Sequence, residues 1–522
     1  MKQSLLTIAL IGLSSISISS IGLFVTPLFI SSTAAQGNDF VPALTSEAFT
    51  SEAIESESIH SESTQSESTS DETSVDAFIL NMMAEKQIPG LSLAIVHDQK
   101  LIKVKGYGLL DREQNVKVRP NSIFPIASMS KPLTATAIML LVEEGKIDLD
   151  APIGTYLLQV PPAWESITVR RLLNHTAGVT ENIYQGNTSA LREPSGYVEA
   201  ASQLPLDFQP GEAWMYSNTG YNLAAAIVEQ VSGQSFESFM QARIFEPLEM
   251  NSTDTLRASY RFSNRAMGYE LKRAGVEPID INFKRVPQSM ALFKGSGSVT
   301  SNVLDLARWA IALQKGQLLS AESKAEMEQF STATVLSRGY GLGWFVGNIG
   351  NHKTVAHGGN LWGYSTAIAQ FPNDELTVIV LTNLDEQDGE QIAIKIASQY
   401  IPDLLTAWNK ETPAISDPNP NLSSQLLAYL QGDDAAIERT PAHQIALTST
   451  MRGQYIENRW QDYRSDYSVE ALELISQDPH PSGTRLRYRT ITPDNVHLLT
   501  VVSTPDGLIS SIIIDPDSAD TQ

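Results

Sequence analysis

The sequence predicts an α/β body, an antiparallel sheet with helices and a mostly helical insert, followed by a small α+β accessory domain. Three observations lead there. Strand-like apolar runs stand at both ends of the region 75–405, with helix-length and loop segments between them. A proline-rich stretch, TPAISDPNPN, interrupts the chain after Leu405. Beyond it, amphipathic segments come first and four β-rich runs follow. The chain has 522 residues, 36 basic and 59 acidic side chains, a net charge of −23, 42% apolar residues and no cysteine. Without cysteine it is neither a disulfide scaffold nor a thiol enzyme nor a zinc-thiolate protein. So acidic a balance also argues against nucleic acid, whose affinity for proteins rests on Lys and Arg neutralising phosphates.

Residues 1–35 read as an export signal: Lys2, an apolar run ending near Ile30, then Thr33, Ala34 and Ala35, with cleavage expected after Ala35. The run is long for a signal core and is diluted by serines from Ser14 to Ser20. An uncleaved membrane anchor is therefore the competing reading. No cysteine follows, which excludes a lipoprotein anchor. No later segment forms a continuous apolar span, so the body is expected to be soluble and exported, periplasmic or extracellular, meeting a membrane only through an uncleaved leader. Residues 36–74 are expected to be a disordered acidic Ser/Glu-rich tether, because SEAIESESIHSESTQSESTSDET offers too little apolar surface to offset the entropy of ordering it.

From Val75, Phe78, Ile79, Met82 and Met83 recur at helical spacing until Pro89-Gly90 stops them. LSLAIVHD and KLIKVKGYGLL follow as two strands around a polar turn at Asp98 to Lys100. A helix-length apolar block from Leu133 to Val142 ends at Gly145, which puts Ser128 at or just before a helix N-terminus. After many helical and loop segments come GYGLGWFV, TVAHGGN, STAIAQFPNDELTVIVLTN and a helix from about Asp388. Residues 75–405 thus form the body and 406–421 a linker. Residues 422–522 form the accessory domain: amphipathic segments Leu422 to Glu438 and Pro441 to Asn458, then YSVEALELI, TRLRYRTIT, VHLLTVVST and LISSIIID, the last joined through Pro505-Asp506-Gly507. It is expected to hold no catalytic residue.

Ser128-Met129-Ser130-Lys131 sets a hydroxyl and an amine three positions apart on one helix face. A serine hydroxyl attacks only when a base takes its proton, and a desolvated lysine can do that. The positive end of the helix favours the negative charge that develops. Ser128 and Lys131 form the chain's sole Ser-x-x-Lys. Tyr216-Ser217-Asn218 is the sole Tyr-x-Asn: a phenol near an ammonium can shuttle a proton, and an amide can hold a substrate carbonyl. His357-Gly358-Gly359 is the sole His-x-Gly, on a strand whose glycines let a substrate backbone lie close and whose His can donate to a substrate carboxylate or ester oxygen. Taken singly, each has a plain structural alternative: a capping Ser with a surface Lys, a buried Tyr with a capping Asn, and a structural His.

Together the three elements resemble the class C β-lactamase and DD-peptidase group of serine hydrolases, which also includes esterases and D-amino-acid peptidases. The resemblance covers about Val75 to Tyr400. It extends to Ile88-Pro89-Gly90-Leu91-Ser92, Leu172-Leu173-Asn174-His175-Thr176-Ala177-Gly178, Gly295-Ser296-Gly297 before Asp305-Leu306-Ala307-Arg308, and Tyr340-Gly341-Leu342-Gly343-Trp344. It implies a β-lactamase/transpeptidase-like sandwich and an acyl-enzyme mechanism. Ser128 attacks, Lys131 with Tyr216 moves protons, Asn218 orients the substrate, and the backbone N–H groups of Ser128 and Asn360 form the oxyanion hole. It further implies a substrate bound along His357, Gly359 and Asn360, with no metal or organic cofactor. The β-lactamases of the group usually carry Lys-Thr-Gly on the closing strand, whereas this chain has no Lys-x-Gly and His357 takes that place. An imidazole holds an anion less firmly than a permanent ammonium. The likeness is therefore to the peptidase and esterase branches, with a small molecule or peptidoglycan-like material as substrate.

Two alternatives stay open, a genuine β-lactamase and an exported binding protein that keeps the fold without turnover. Gly363-Tyr364-Ser365-Thr366-Ala367 falls short of a nucleophile elbow, lacking the last glycine and leading into a strand. His352 and His357 are five apart with no adjacent Glu, which does not make a helical zinc face. His175 is assigned to bracing the scaffold. Trp164, Trp214 and Trp362 belong either to the cleft or to the core.

Overall fold

The computed structural model describes residues 68–181, 183, 194–255, 263–272, 275–279, 293–330, 332–333, 338–385, 387–404, 414–440, 461, 463–465, 467–480, 483–492 and 496–514. The leader, the tether as far as residue 67 and the segment Pro441 to Asn458 lie outside the described residues. Among the described residues no helix is long and apolar enough to cross a membrane.

Helix α1, Ser68–Glu85, takes in residues 68–74 of the stretch expected to be tether, so the helix starts ahead of its first apolar residue, Val75. It turns at Gln87 (φ 55°) and hands over through Pro89 to β1, Gly90–His97. Strand β2, Lys100–Asp111, pairs antiparallel with β1. Asp98 (φ 48°) and Gln99 (φ 58°) both lie in the left-handed region, the geometry whose twist matches a two-residue hairpin. All of β1 except His97 is buried, because it has a strand on each side and helices on both faces.

Next come β3 (Val116–Lys117), β4 (Phe124–Pro125), a 3-10 turn at Ala127–Met129, and α2 (Ser130–Glu143). Residues 130–141 of α2 are buried, as befits a helix apolar nearly all round. The insert contains α3 (Val169–Leu173), α4 (Pro194–Ser202), α5 (Asn218–Ser232) and α6 (Phe236–Met240). It continues through β5 (Asp254–Thr255), β6 (Tyr269–Lys272), β7 (Gly275–Pro278), α7 (Lys294–Gly297), β8 (Val299–Ser301), α8 (Val303–Gln314) and α9 (Ala321–Met327). The chain then returns to the sheet as β9 (Thr332–Ala333), β10 (Gly339–Tyr340), β11 (Phe345–Ile349), β12 (His352–Leu361), β13 (Tyr364–Phe371) and β14 (Leu376–Thr382), and closes the body with α10 (Gly389–Ala397).

The main sheet is antiparallel in the order β3-β2-β1-β14-β13-β12-β11-β10-β9, so strands from the two ends of the body meet at the β1–β14 pair. Ile79, Met82 and Met83 of α1 and Ile392 and Ile396 of α10 share one apolar cluster with Leu93, Ile95, Val378 and Val380. At about 1.5–3 kcal/mol for each fully buried large aliphatic side chain, this layer holds the termini of the body together. Helix α8 covers β1 and β14 as well. The result is the sandwich expected from the sequence, an antiparallel sheet between helical layers with a mostly helical insert.

An ion cluster adds to the α1 contact. Asp76 accepts from Lys103 Nζ at 2.8 Å and Tyr107 Oη at 2.7 Å, and pairs with Lys105. Burial alone would raise its carboxyl, but the hydrogen bonds from Lys103, Lys105 and Tyr107 outweigh that and hold it at about 2. The folded value lies below the ordinary 3.8, so the stabilisation is complete above about pH 4 and is lost as pH falls toward 2. Asp76→Asn is expected to cost about 1 kcal/mol at pH 7, after allowance for screening at this partly exposed cluster. Urea unfolding at pH 7 and at pH 2 checks it; a gap between parent and variant that persists unchanged at pH 2 would refute the assignment.

In the accessory region α11 (Pro420–Leu430) starts with Pro420 at its first turn and with Asn419 as cap, Oδ1 accepting from Leu422 N at 3.2 Å. The amphipathic pattern suggests continuation to Glu438. Gly432 (φ 107°) instead ends the helix, since that backbone conformation suits glycine alone. Strands β15 (Ala471–His480), β16 (Gly483–Ile491), β17 (Val496–Ser503) and β18 (Ile509–Ile514) form an antiparallel meander in chain order, and Gly507 (φ 89°) makes the expected last turn. Leu426, Tyr429, Leu474, Tyr488, Leu499 and Val501 build a separate core. Arg485 of β16 donates to the Asn348 carbonyl of β11 at 2.5 Å, joining this sheet to the body.

Candidate active site

Ser128 sits in the 3-10 turn that leads into α2, as the apolar block at Leu133 to Val142 predicts. The preceding Ala127 has φ 47°, a left-handed conformation that costs a non-glycine residue about 1–2 kcal/mol. The surroundings impose it. Ile126 N donates to Val299 O at 3.0 Å, and Ile126 O accepts from Met129 N at 3.1 Å and from Thr366 Oγ1 at 3.0 Å. The kink leaves Ser128 partly exposed between buried neighbours. Strain of this kind concentrates where a side chain must be aimed.

Lys131, one turn into α2, is completely buried. Its Nζ lies 3.1 Å from Ser128 Oγ, 2.8 Å from Asn218 Oδ1 and 2.9 Å from Ser296 O, three acceptors for the three N–H bonds of an ammonium. It also lies 4.5 Å from the ring centroid of Tyr216 and 5.6 Å from that of Tyr221, within cation–π range. Three acceptors thus close around the amine without water, and as the neutral amine it can take a proton from Ser128. The Ser296 carbonyl arrives because Gly295 packs on α5: a Cβ there would lie 2.2 Å from Tyr221 O.

Asn218 opens α5, with Ser217 as N-cap accepting from Gly220 N at 3.0 Å. The amide is engaged at both ends. Its Oδ1 faces Lys131, and its Nδ2 donates to Glu181 Oε2 at 3.1 Å. Glu181 Oε1 also accepts from Ser217 Oγ and from Thr219 N, each at 2.8 Å. Glu181 stands alone in a loop outside the motifs, so nothing in its neighbourhood along the chain marks it.

His175 takes the bracing position. It has φ 65°, its Nδ1 accepts from Ser217 N at 3.0 Å, and its ring lies 4.5 Å from each of Tyr216 and Tyr340. Trp214, Tyr216, Tyr340, Phe345 and His357 continue this aromatic wall behind Lys131. Burial pushes the phenols of Tyr221 and Tyr340 well up, so both remain protonated donors, and Tyr221 Oη donates to Leu173 O at 2.6 Å.

For His357 the geometry differs from the expectation of a direct substrate donor. The ring is 1% exposed, its Nδ1 donates to Gly358 O at 2.7 Å, and its Nε2 is 3.0 Å from Tyr340 Oη. Both nitrogens are thus engaged within the protein, because residue 357 points to the aromatic wall. Gly359 lies against the nucleophile turn, where a Cβ would come 3.1 Å from Ser128 N. Strand β11 pairs with β12 only as far as Ala356, so beyond it β12 has an edge not covered by β11. Ser128, Asn218 and Asn360 line one pocket with Phe293, Leu361 and Trp362. Asp385 is the one charged side chain among the described lining residues. Trp362 is 57% exposed at this pocket, whereas Trp164 and Trp214 are core residues. Among the described residues no three His, Asp or Glu side chains gather as a metal site requires.

A serine hydroxyl and a buried amine within hydrogen-bond reach at a helix start, with an amide opposite and an antiparallel sandwich around them, define the molecule as a serine hydrolase. The chain belongs to the Beta-lactamase family, whose model matches residues 75–400. It is 30% identical over 312 residues to Penicillin-binding protein 4* of Bacillus subtilis (strain 168), a match covering 56% of this chain and 68% of that protein. Two solved structures share the fold. One is an octameric penicillin-binding protein homologue from Pyrococcus abyssi (TM-score 0.56, 24% identity, 83% of this chain and 90% of that one). The other is the D-amino acid amidase from Ochrobactrum anthropi SV3 complexed with L-phenylalanine amide (TM-score 0.56, 23% identity, 65% of this chain and 99% of that one).

Proposed function

We propose that the protein is an exported hydrolase that forms an acyl-enzyme on Ser128 and acts on esters or on D-amino-acid amides and peptides. The observation that carries this reading is Lys131 Nζ 3.1 Å from Ser128 Oγ and 2.8 Å from Asn218 Oδ1 in a site closed to solvent on the lysine side. Ser128 Oγ adds to the substrate carbonyl carbon. Its proton passes through Lys131 and Tyr216 to the leaving alcohol or amine as the bond to the acyl group breaks. Water then repeats the sequence on the ester, releasing the acid and restoring Ser128. The N–H groups of Ser128 and Asn360 carry the oxyanion in both halves, and the remaining N–H of Asn218 holds a substrate carbonyl.

The preference for esters and amides over anionic lactams is supported by charge. No Lys or Arg occurs among the described lining residues, Asp385 does, and His357 is turned away. A fixed cation for a substrate carboxylate is missing from that set. The likeness to the D-amino acid amidase is in keeping with amides as substrates. Peptidoglycan-like material is the natural substrate class for a protein exported by residues 1–35 and carrying residues 422–522 as a non-catalytic accessory domain. The test is intact-mass analysis and peptide mapping after a fluorophosphonate. One adduct on Ser128 is expected, with slow nitrocefin turnover beside faster cleavage of activated esters or D-amino-acid amides. An unlabelled, folded protein would refute the acyl-enzyme, and nitrocefin as the best substrate would refute the substrate class.

A further inference from the structure

We infer that Glu181 is a positioning residue of this site: its carboxylate sets which end of the Asn218 amide faces Lys131 and how firmly the site holds its proton. The inference rests on the acyl-enzyme reading above and extends it to a residue outside the motifs.

An amide side chain can present either its oxygen or its nitrogen to a neighbour, and the choice follows from what lies on the far side. Here the far side is a carboxylate, which only accepts. Glu181 Oε2 takes Nδ2–H of Asn218 at 3.1 Å, so Oδ1 is left to Lys131 at 2.8 Å. A flipped amide would set N–H against an ammonium on one side and oxygen against carboxylate on the other. Glu181 is itself held in place, with Oε1 accepting from Ser217 Oγ and from Thr219 N at 2.8 Å each, at the positive end of the fifteen-residue helix α5.

The second consequence is electrostatic. One amide separates the carboxylate from Lys131, close enough for Glu181 to favour the proton on whichever group must release it before Ser128 can react. The other titratable groups around this point are known. Tyr216 and Tyr221 flank Lys131, and His175, Tyr340 and His357 lie behind them. Asp207 lies near Glu181 on the loop side, where burial pushes its carboxyl up, a hydrogen bond with Thr180 opposes this, and the Glu181 charge adds to the rise. None of these is a second carboxylate hydrogen-bonded to Asn218 among the described residues.

The experiment is the pH dependence of acylation by p-nitrophenyl acetate in the full chain. E181Q leaves one acceptor oxygen where Glu181 has two, so a donor must face either Asn218 Nδ2 or the pair Ser217 Oγ and Thr219 N. We expect acylation to slow about 10-fold or more, and its ascending limb to move to lower pH by about one unit, since a negative charge near the proton is gone. E181D keeps the charge, so its limb should stay with the parent while its rate recovers in part. Ser235→Ala removes the cap of α6, where Ser235 Oγ accepts from Ser238 N at 3.1 Å, away from Glu181, and should lower the melting temperature by about a degree or two without moving the limb. A folded E181Q with the parent's rate and limb overturns the inference, and so does a slowed E181Q whose limb has not moved, because that is what structural damage alone gives. If E181Q does not fold, E181A is read by the same criterion. A parent that takes no acyl group on Ser128 overturns the acyl-enzyme reading and this inference with it; a labelled parent with an unmoved limb in E181Q overturns the inference alone.

Discussion

Lys131→Met is expected to lower the rate of acylation of Ser128 by about 10³-fold in a protein that still folds. The size follows from what the amine does. In the resting site its three N–H bonds meet Ser128 Oγ, Asn218 Oδ1 and Ser296 O, so no other group at hydrogen-bond distance from Ser128 Oγ is a base among the described contacts. Methionine fills much the same volume and carries no charge, so the apolar stem remains packed and the buried cation, costly to desolvate, is gone. Two acceptors, Asn218 Oδ1 and Ser296 O, lose a partner, which limits any gain in stability. Stopped-flow acylation with an activated ester, set beside Ser128→Ala as the floor, measures the effect. A Lys131→Met protein within tenfold of the parent would show that the proton leaves Ser128 by another route.

Gly359→Ala should damage both stability and turnover. A Cβ at this position would stand 2.2 Å from Ile126 O, 2.6 Å from Thr366 Oγ1 and 3.1 Å from Ser128 N. The first of these is backbone that already accepts from Met129 N and Thr366 Oγ1, so it cannot yield without moving the Ala127 kink. Overpacking of this kind typically costs about 1–3 kcal/mol. A shift of about 1 Å in a reacting atom costs on the order of 10²-fold in rate. Gly358→Ala is the internal comparison. There the nearest atoms are Thr366 O at 3.7 Å and Glu390 Oε2 at 4.0 Å, ordinary contact distances, and a stability change within about 0.5 kcal/mol is expected. Equal behaviour of the two variants in thermal melts and acylation assays would refute the close-approach argument.

Much of the architecture was legible because local pattern and tertiary role coincide. The Asp98-Gln99 turn, the apolar block of α2 and the Pro505-Asp506-Gly507 hairpin each follow from a few adjacent residues. Boundaries were less legible. Helix α1 runs back to Ser68 through residues with no apolar pattern, and Gly432 ends α11 inside a stretch whose amphipathicity continues. Ser128, Lys131 and Asn218 could be picked out because each motif occurs once. The Oδ1 and Nζ distances that join them could not, since Asn218 comes from another helix.

By itself the sequence determined the alternation of strands and helices, the acidic Ser/Glu-rich composition of residues 46–76, and the short list of residues able to do acyl-transfer chemistry, all properties of neighbours along the chain. Tertiary structure alone decided which of them meet. It turned His357 inward to Tyr340 and Gly358 O, pressed Gly359 against the nucleophile turn, and brought Glu181 from a loop to the far side of Asn218. Those outcomes depend on which faces and edges the sheet and helices present to each other, and spacing along a chain does not encode distances of about 3 Å between residues brought together only by packing.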